Sequence, residues 1–468
     1  MASLFLSAAH KSSGKTTLSI GLCAALVERG LHIQPFKKGP DYIDPIWLGM
    51  AAGKPCYNLD FYVAGQQETI DDYCHRGQNA EICLIEGNKG LHDGLDLNGS
   101  NSNAALAKAL HSPVIMVVDA RGTMRGIAPL LIGYQVFDEA VNIAGVIANM
   151  TGGKRHESKL RAAVEEYTDI PFLGALENEP SIGLNERHLG LIPGYEDPES
   201  KHKIATISRV VSDNVDLDQL IDIAQQAEPV TPATSPLTQK PDFNGLRIGI
   251  AQDRAFGFYY PGDLEAFRQA GAQLVSIDTT RDQTLPPIDG LFIGGGFPER
   301  HAASLAANHR LRESIKYAIE AGLPTYAECG GLMYLSQNLT WNGECHDMVG
   351  VLDAQTIMYE KPQGRGYVKL NENPGQHPWV LQSQPGKCLY AHEFHYSALQ
   401  GLPDDGQFAY QVLRGKGIQH QRDGFVYKNL LASYTHLRNT SANPWVKRFL
   451  NFVKSSRVLP ITDSANAI

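Results

Sequence analysis

The chain has 468 residues, enough for two or three domains, and its 43% hydrophobic and 19% charged content is ordinary for a globular protein. The formal net charge is −9 without a long basic segment, which argues against nucleic acid as the main partner because phosphate binding requires clustered Lys and Arg. No apolar run reaches the roughly 18 residues that a membrane-spanning helix requires, so no membrane partner is predicted.

The first half alternates short apolar runs with helical patterns. The N-terminal apolar stretch lacks a basic flank, and we interpret it as a first strand and not as a signal peptide. Val- and Ile-rich strands that alternate with helices are typical of a parallel sheet covered on both faces. The predicted strands are Leu4–Ala8, Ile33–Lys37, Ile82–Glu86, Val114–Asp119 and Ala144–Asn149, and the predicted helices include Lys15–Arg29 and Asn103–Leu110.

A change in composition divides the chain. Residues 229–242 (PVTPATSPLTQKPD) are rich in Pro, Thr and Ser and are predicted to link a domain at 1–228 to a domain at 243–468. The second half repeats the strand–helix style, with antiparallel strands expected near its end, and the chain after Leu459 is predicted to be frayed. Its predicted elements are strands Arg247–Ala251, Gln273–Ile277, Gly290–Ile293 and Thr325–Ala327 and helix Pro261–Ala270.

A phosphate-loop pattern, SAAHKSSGKTT (7–17), follows the first strand and opens a helix. Ala9 replaces the usual first glycine, but backbone N–H groups at a helix start can still hold nucleotide phosphates. Lys15 is expected to contact the outer phosphates, and the Thr16 hydroxyl is expected to bind Mg²⁺. The candidate ATP-binding residues are Ser12, Ser13, Gly14, Lys15, Thr16 and Thr17.

Acidic residues follow predicted strands of the same half, in GPDYIDP (39–45), IEG (85–87) and GLHDG (90–94). A lone Asp in a Gly-rich turn is usually a surface residue. Three such segments near one sheet edge, where ligands of parallel sheets bind, favour a site. Acids beside a triphosphate are natural ligands of Mg²⁺, and the predicted set is Thr16, Asp44 and Glu86.

The second half contains a nucleophile-elbow pattern, TYAECGGLMYL (325–335), in which Cys329 lies between a strand and a helix. Gly295, Gly296 and Gly330 are candidate sources of oxyanion N–H groups, and His436 is the candidate base. The seven cysteines are scattered without a CxxC pair, which indicates neither disulfides nor zinc and fits a reducing cytoplasm.

Two further histidines, His392 and His395, invite a metal interpretation. Their spacing is not that of H-E-x-x-H and no third ligand is evident, so we prefer a role in structural hydrogen bonding.

Several segments together resemble the glutamine-dependent cobyrinic acid a,c-diamide synthases over nearly the whole chain. They are QPFKKGPDYIDP (34–45), NLD (58–60), EGNKGLHDG (86–94), IAGVIAN (143–149), GGGFPE (294–299), AECGGLMYL (327–335), HEFHYS (392–397) and ASYTH (432–436). The resemblance implies an α/β protein with an N-terminal phosphate-loop domain similar to dethiobiotin synthetase and a C-terminal triad-type glutamine amidotransferase domain.

The resemblance also implies a reaction. ATP would activate the a and c acetates of a corrin precursor as acyl phosphates, and ammonia from glutamine would attack them. Asp41, Glu86 and Asp93 match acidic residues of the synthetase reaction, Cys329 matches the glutaminase nucleophile and His436 its base.

Two segments depart from the family pattern. Family members often have H-x-H where this chain has His436-Leu437-Arg438, which leaves the partner that orients His436 unidentified. Asn88-Lys89 and the run LDLNGSNSN (95–103) lie near the expected acceptor site, which leaves sirohaem or a sirohydrochlorin-type tetrapyrrole open as the substrate.

A polycarboxylate tetrapyrrole should be bound by local positive charge. The candidate contacts, near the predicted carboxyl ends of strands, are Lys37, Lys38, Tyr42, Lys89, Arg121 and Arg125. A homodimer is left open. A non-catalytic phosphate-loop ATPase switch is the alternative of a different class, and the AECGG and ASYTH segments argue against it.

Overall fold

The structure is a computed structural model that describes residues 1–179, 182–184, 186–187, 190–233, 242–373, 375–379 and 388–457. The chain forms two compact units, the first from Met1–Phe61 and Gly65–Pro236 and the second from Tyr62–Ala64 and Leu237–Ile468. Most of the predicted linker, residues 234–241, and the predicted frayed end lie outside the described residues.

The first unit is built on parallel strands. Its strands are β1 (Ala2–Ala8), β2 (Ile33–Lys38), β3 (Tyr57–Leu59), β4 (Ile82–Glu86), β5 (Val114–Asp119), β6 (Ile143–Thr151), β7 (Phe172–Glu177), β8 (Glu186–Arg187) and β9 (Gly190–Leu191). Its described helices are α1 (Lys15–Glu28), α2 (Ile43–Ala52), α4 (Gln66–Gly77), α5 (Asn103–Ala109), α6 (Ile127–Phe137), α7 (Lys154–Tyr167), α8 (Ser200–Asn214) and α9 (Leu217–Gln225), and the short α3 (Phe61–Ala64) lies mostly in the second unit.

The main sheet of the first unit has the order β3-β2-β4-β1-β5-β6-β7, and all its pairings are parallel. Phe5, Ile85, Met116 and Val118 belong to its buried core, and burying each such side chain contributes about 1.5–3 kcal/mol. The chain leaves β1 toward one side of the sheet and later crosses to β5 on the other. Ligands of such sheets bind where the order reverses, at the carboxyl ends of the strands.

The second unit has more strands and fewer helices. Its strands are β10 (Arg247–Ala251), β11 (Phe256–Phe258), β12 (Gln273–Ile277), β13 (Gly290–Ile293), β14 (Gly295–Gly296), β15 (Thr325–Glu328), β16 (Asn338–Trp341), β17 (Glu344–Asp347), β18 (Gln355–Met358), β19 (Gly364–Glu372), β20 (Cys388–His395), β21 (Ser397–Gln400), β22 (Phe408–Arg414), β23 (Arg422–Tyr427) and β24 (Leu430–Ser433). Its described helices are α10 (Pro261–Gln269), a 3₁₀ turn at Pro298–His301, α11 (Ala302–Ala307), α12 (His309–Glu320), α13 (Gly330–Leu335) and α14 (Trp445–Ser456).

The main sheet of the second unit has the order β12-β10-β13-β15-β24-β23-β22-β19-β20. The strands from β12 to β24 pair in parallel, and those from β24 to β20 pair antiparallel. The predicted change from parallel to antiparallel pairing is therefore confirmed. A second sheet, β17-β16-β18-β21, lies outside the sequence prediction.

Candidate active sites

The phosphate loop joins β1 to α1 and is fastened from β6. Asn149 donates from Nδ2 to the Ser13 carbonyl at 2.9 Å. Gly14 has a φ of +81°, and a Cβ there would lie 2.0 Å from Asn149 Nδ2, so this position requires glycine. The first N–H groups of α1 have no partner within the helix, which is the arrangement that binds phosphate.

Lys15 begins α1 and is buried. Burial first, and then the charge of Lys37, lowers the pKa of Lys15 to about 8. Its ammonium makes one long contact, 3.5 Å from Nζ to the His10 carbonyl. A bound polyphosphate would stabilise this charge, so the surroundings of Lys15 suit an anionic ligand.

Carboxylates from the end of β4 and from the first turn of α2 converge beside the loop. The Thr16 hydroxyl donates to Glu86 Oε1 at 2.7 Å and to Asp44 Oδ2 at 3.2 Å. Lys37 Nζ donates to the same two oxygens, at 2.8 Å for Glu86 and 2.6 Å for Asp44. Burial lowers the pKa of Lys37, but Asp44 and Glu86 outweigh it and hold that pKa well above its usual value. The ammonium and the two carboxylates therefore form one buried charged cluster.

The cluster fits Mg²⁺ by the chemistry of its oxygens. Glu86 is fully buried, and its Oε2 has no hydrogen-bond partner among the residues that the structure describes, so one carboxylate oxygen is available. In the described part of the chain, no three His, Cys, Asp or Glu side chains form a complete metal site. Mg²⁺ is commonly held by one or two carboxylates together with substrate phosphates. Thr16, Asp44 and Glu86 would hold it.

The other two predicted acids differ in their surroundings. Asp41 Oδ1 accepts hydrogen bonds from the N–H groups of Ile43 and Asp44, so it caps α2. Burial first, and then the charge of Asp44, raises the pKa of Asp41 to about 7. Asp93 is exposed, and its Oδ2 accepts from the Gly90 N–H at 3.0 Å.

Cys329 lies at a sharp turn between β15 and α13. Its φ is +46°, rare for a residue with a side chain. Gly331 allows the turn to pack, because a Cβ there would lie 2.2 Å from the Ile293 carbonyl oxygen. The Cys329 N–H donates to the Ser433 carbonyl at 2.7 Å, which fixes the turn to β24. This is the geometry of a nucleophile elbow.

His436 faces this turn from the segment after β24. Its Nδ1 lies 3.3 Å from Glu328 Oε2, and its ring hydrogen-bonds with the Cys329 thiol. Burial alone would lower the pKa of His436, but the bonds to Cys329 and Glu328 outweigh it and raise that pKa to about 10. At neutral pH the His436 ring is therefore held in its protonated form beside the side chain of the candidate nucleophile.

The three candidate oxyanion glycines lie around the same turn. A Cβ on Gly330 would lie 3.0 Å from the Gly296 nitrogen, and one on Gly295 would lie 2.6 Å from His436 Cε1. Only glycine allows these backbones to approach so closely. Their role as oxyanion donors remains a prediction.

Two family models match the two halves of the chain. Residues 7–190 match the CobQ/CobB/MinD/ParA nucleotide binding domain, and residues 247–444 match the CobB/CobQ-like glutamine amidotransferase domain. A cobyrinate a,c-diamide synthase of Magnetococcus marinus is 45% identical over 454 residues, covering 96% of each chain. The chain belongs to the cobyrinate a,c-diamide synthase family. A second relative of that name, from Methanosarcina acetivorans, is 39% identical over 94% of this chain and 92% of its own.

Family membership confirms the predicted fold class and enzyme class. This member of the synthase family is a glutamine-dependent amidotransferase with a nucleotide-binding domain. Among the described residues, no helix is both long and apolar enough to cross a membrane.

Two solved structures are similar to parts of this chain, with low TM-scores. PurLQS from Thermotoga maritima gives a TM-score of 0.36 at 13% identity and covers 45% of this chain and 98% of its own. Chloroplast FtsY from Physcomitrella patens gives 0.30 at 17% identity, with 38% and 59% coverage. Similarity at this level carries no functional information.

The predicted acceptor contacts have different surroundings. Arg121 is bound to Asp119, with Nη2 2.6 Å from Oδ2, and the Arg125 guanidinium lies over the Tyr167 ring, 4.8 Å from its centroid. Lys89 is exposed, with a φ of +36°. Tyr42 is partly buried at the start of α2. Their roles in acceptor binding remain predictions.

Lys38 is buried instead of facing solvent. Its Nζ donates to the Asn101 carbonyl at 2.9 Å and to Asn101 Oδ1 at 3.1 Å. Burial is the main cause that lowers the pKa of Lys38 to about 8. Lys38 thus holds the segment 95–103 that departs from the family pattern.

His392 and His395 both make structural hydrogen bonds. His392 Nδ1 lies 3.2 Å from the Tyr260 hydroxyl, and His395 Nδ1 lies 2.7 Å from the Ser397 carbonyl. The His392 ring also stacks on His436, with ring centroids 4.9 Å apart. These contacts agree with the structural interpretation of the pair.

Sequence reasoning missed three contributors to the sites. Lys37, expected to bind substrate, is held by Asp44 and Glu86. Asn149 ends a predicted strand but was given no role, although strand ends are where ligands bind. Glu328 directly precedes the predicted nucleophile, and that adjacency was the available signal.

Proposed function

We propose that this protein uses ATP and glutamine to convert the a and c acetates of cobyrinate to amides through acyl phosphates. The observation that carries the proposal is the presence in one chain of a buried carboxylate cluster at a phosphate loop and a Cys–His pair at an elbow. The names of relatives up to 45% identical supply the acceptor.

The synthetase half must install a leaving group, because a carboxylate does not react with ammonia. An acetate oxygen attacks the γ-phosphorus of ATP, ADP departs, and an acyl phosphate forms. Lys15 binds the transferred phosphate, while Asp44 and Glu86 are the groups that would hold Mg²⁺. When bound, Mg²⁺ neutralises charge on the phosphates. Ammonia then attacks the acyl carbon and phosphate leaves as the amide forms.

The glutaminase half supplies that ammonia. The Cys329 thiolate attacks the side-chain amide of glutamine, and backbone N–H groups of Gly296 and Gly330 stabilise the oxyanion. His436 donates its proton to the amide nitrogen as the C–N bond breaks. Ammonia departs, and the glutamyl group remains on Cys329 as a thioester. His436 then takes a proton from water, which hydrolyses the thioester and releases glutamate.

Incorporation of labelled nitrogen tests this proposal. The enzyme is incubated with MgATP, [amide-¹⁵N]glutamine and either cobyrinate or sirohaem, and products are identified by mass spectrometry. We expect cobyrinate to gain two ¹⁵N amides with release of ADP, phosphate and glutamate. If sirohaem were amidated and cobyrinate were not, sirohaem would replace cobyrinate as the proposed acceptor. The absence of ATP-dependent turnover of both compounds would refute the proposal.

A further inference from the structure

We propose that Glu328 is the positioning residue of the glutaminase, because its carboxylate orients the His436 ring and stabilises the imidazolium. In this chain Glu328 does what a residue two positions after the histidine would otherwise do. The inference rests on the glutaminase half of the proposed function and does not depend on the identity of the acceptor.

Both oxygens of the Glu328 carboxylate are used. Oε2 faces His436 Nδ1 at 3.3 Å. Oε1 accepts from the Tyr326 hydroxyl at 2.5 Å and from the Leu437 N–H at 2.8 Å. The carboxylate is therefore fixed from its own strand and from the backbone next to the histidine. Because Glu328 occupies Nδ1, Nε2 is left for the thiol.

The fold explains how two neighbouring residues reach one ring. β15 and β24 pair in parallel, with Glu328 opposite Ser433, and His436 follows β24. The His436 N–H donates to the His392 carbonyl at 2.8 Å, which fixes the backbone of the histidine. Cys329 turns away from the strand direction at its positive φ. The Cys329 thiol and the Glu328 carboxylate can therefore approach the His436 imidazole from different sides.

Nearby acids are engaged elsewhere. Glu393 accepts from the N–H groups of Lys416 and Gly417. Asp423 accepts from Gly424, Tyr434 and Thr435 N–H groups, and Asp263 accepts from Asn439 N–H and Trp445 Nε1. The Glu328 carboxylate, in contrast, has its Oε2 3.3 Å from His436 Nδ1.

The electrostatic surroundings give Glu328 its importance. Glu328 and His436 are 2% and 3% exposed, so solvent screens their attraction little. The stacked His392 contributes no positive charge at neutral pH, because burial first, and then His436 and Arg438, holds its pKa well below the usual value. The positive charge of the nearby Arg438 disfavours protonation of His392. The Glu328 carboxylate and the Cys329 side chain are thus the groups that raise the pKa of His436.

Replacement of Glu328 by Gln tests the assignment, since it preserves shape and removes charge. Three quantities are compared with wild type: glutamine-dependent synthesis, ammonium-dependent synthesis, and the pH profile of Cys329 alkylation by iodoacetamide followed on the Cys329 peptide. We expect glutamine-dependent kcat to fall on the order of 100-fold, with ammonium-dependent turnover within about twofold of wild type. The alkylation profile should move to higher pH.

Glu393→Gln is the matched control, because it removes another buried carboxylate from the same unit without touching His436. It should leave the alkylation profile in place even if it lowers stability. Glu328→Asp keeps the charge but moves it away from the His436 ring, so we expect a shift of the alkylation profile between those of wild type and Glu328→Gln. This variant tests the assignment if Glu328→Gln fails to fold.

Unchanged glutaminase activity and an unchanged alkylation profile in either folded Glu328 variant would overturn the inference. A profile that moved equally in Glu393→Gln would also overturn it, because the effect would then be structural. Alkylation needs no acceptor, so this result can be obtained even if the proposed acceptor is wrong.

Discussion

The buried cluster around Lys37 makes a quantitative prediction about the first unit. Lys37→Met removes the ammonium that lies 2.6 Å from Asp44 and 2.8 Å from Glu86. Because Glu86 is fully buried, its carboxylate would be left without a neutralising charge. Breaking a buried ion pair from one side costs about 3–5 kcal/mol. The free energy of unfolding of this unit should fall by that amount at pH 7 without Mg²⁺.

Native-state hydrogen exchange read by mass spectrometry measures this loss within the full chain. Exchange of globally protected amides in peptides covering β4 and α1 should accelerate by roughly 150-fold or more, the factor for about 3 kcal/mol. The double variant Lys37→Met/Glu86→Gln removes the stranded charge and should recover most of the protection. A loss below about 1 kcal/mol in Lys37→Met, or no recovery in the double variant, would refute the reasoning.

Three further predictions concern catalysis, pH and the acceptor. Lys15→Ala should abolish amidation from both glutamine and ammonium, measured as ADP release, because phosphate transfer precedes the arrival of nitrogen. Burial raises the pKa of Asp263 to about 7, so the folded state holds this proton more tightly than the unfolded chain. Asp263 should therefore contribute a fall in wild-type stability from pH 5 to 7 of up to about 1.4 kcal/mol per unit, and urea unfolding should find a correspondingly shallower pH dependence in Asp263→Asn. Lys89→Met should change the turnover ratio of cobyrinate to sirohaem without changing ATP affinity. The same ratio in the variant as in the wild type would show that Lys89 does not select the acceptor.

The sequence predicted the strands that build the two sheets because buried parallel strands are continuous apolar runs. Ile82–Glu86 and Val114–Asp119 agree at both ends with the structure. The three-residue strand Tyr57–Leu59 and the sheet containing Asn338–Trp341 are short and carry weak periodicity, so local pattern did not find them.

Side-chain partners were harder to predict than elements. The role of Lys37 follows from the pairing of β2 with β4, which sets Lys37 opposite Glu86, and sequence spacing does not reveal that register. Glu328 and His436 lie 108 positions apart. The motifs predicted the nucleophile Cys329 and the base His436. Only the pairing of β15 with β24 in the structure identifies Glu328 as the carboxylate that contacts His436.

The central claim is that one half of the chain activates a carboxylate and the other produces ammonia. Cys329→Ala tests it most directly, in parallel assays with glutamine and with a high concentration of ammonium, each containing MgATP and cobyrinate. The account predicts that glutamine-dependent amidation is lost while ammonium-dependent amidation continues near the wild-type rate. Loss of both activities in a folded Cys329→Ala variant would contradict it.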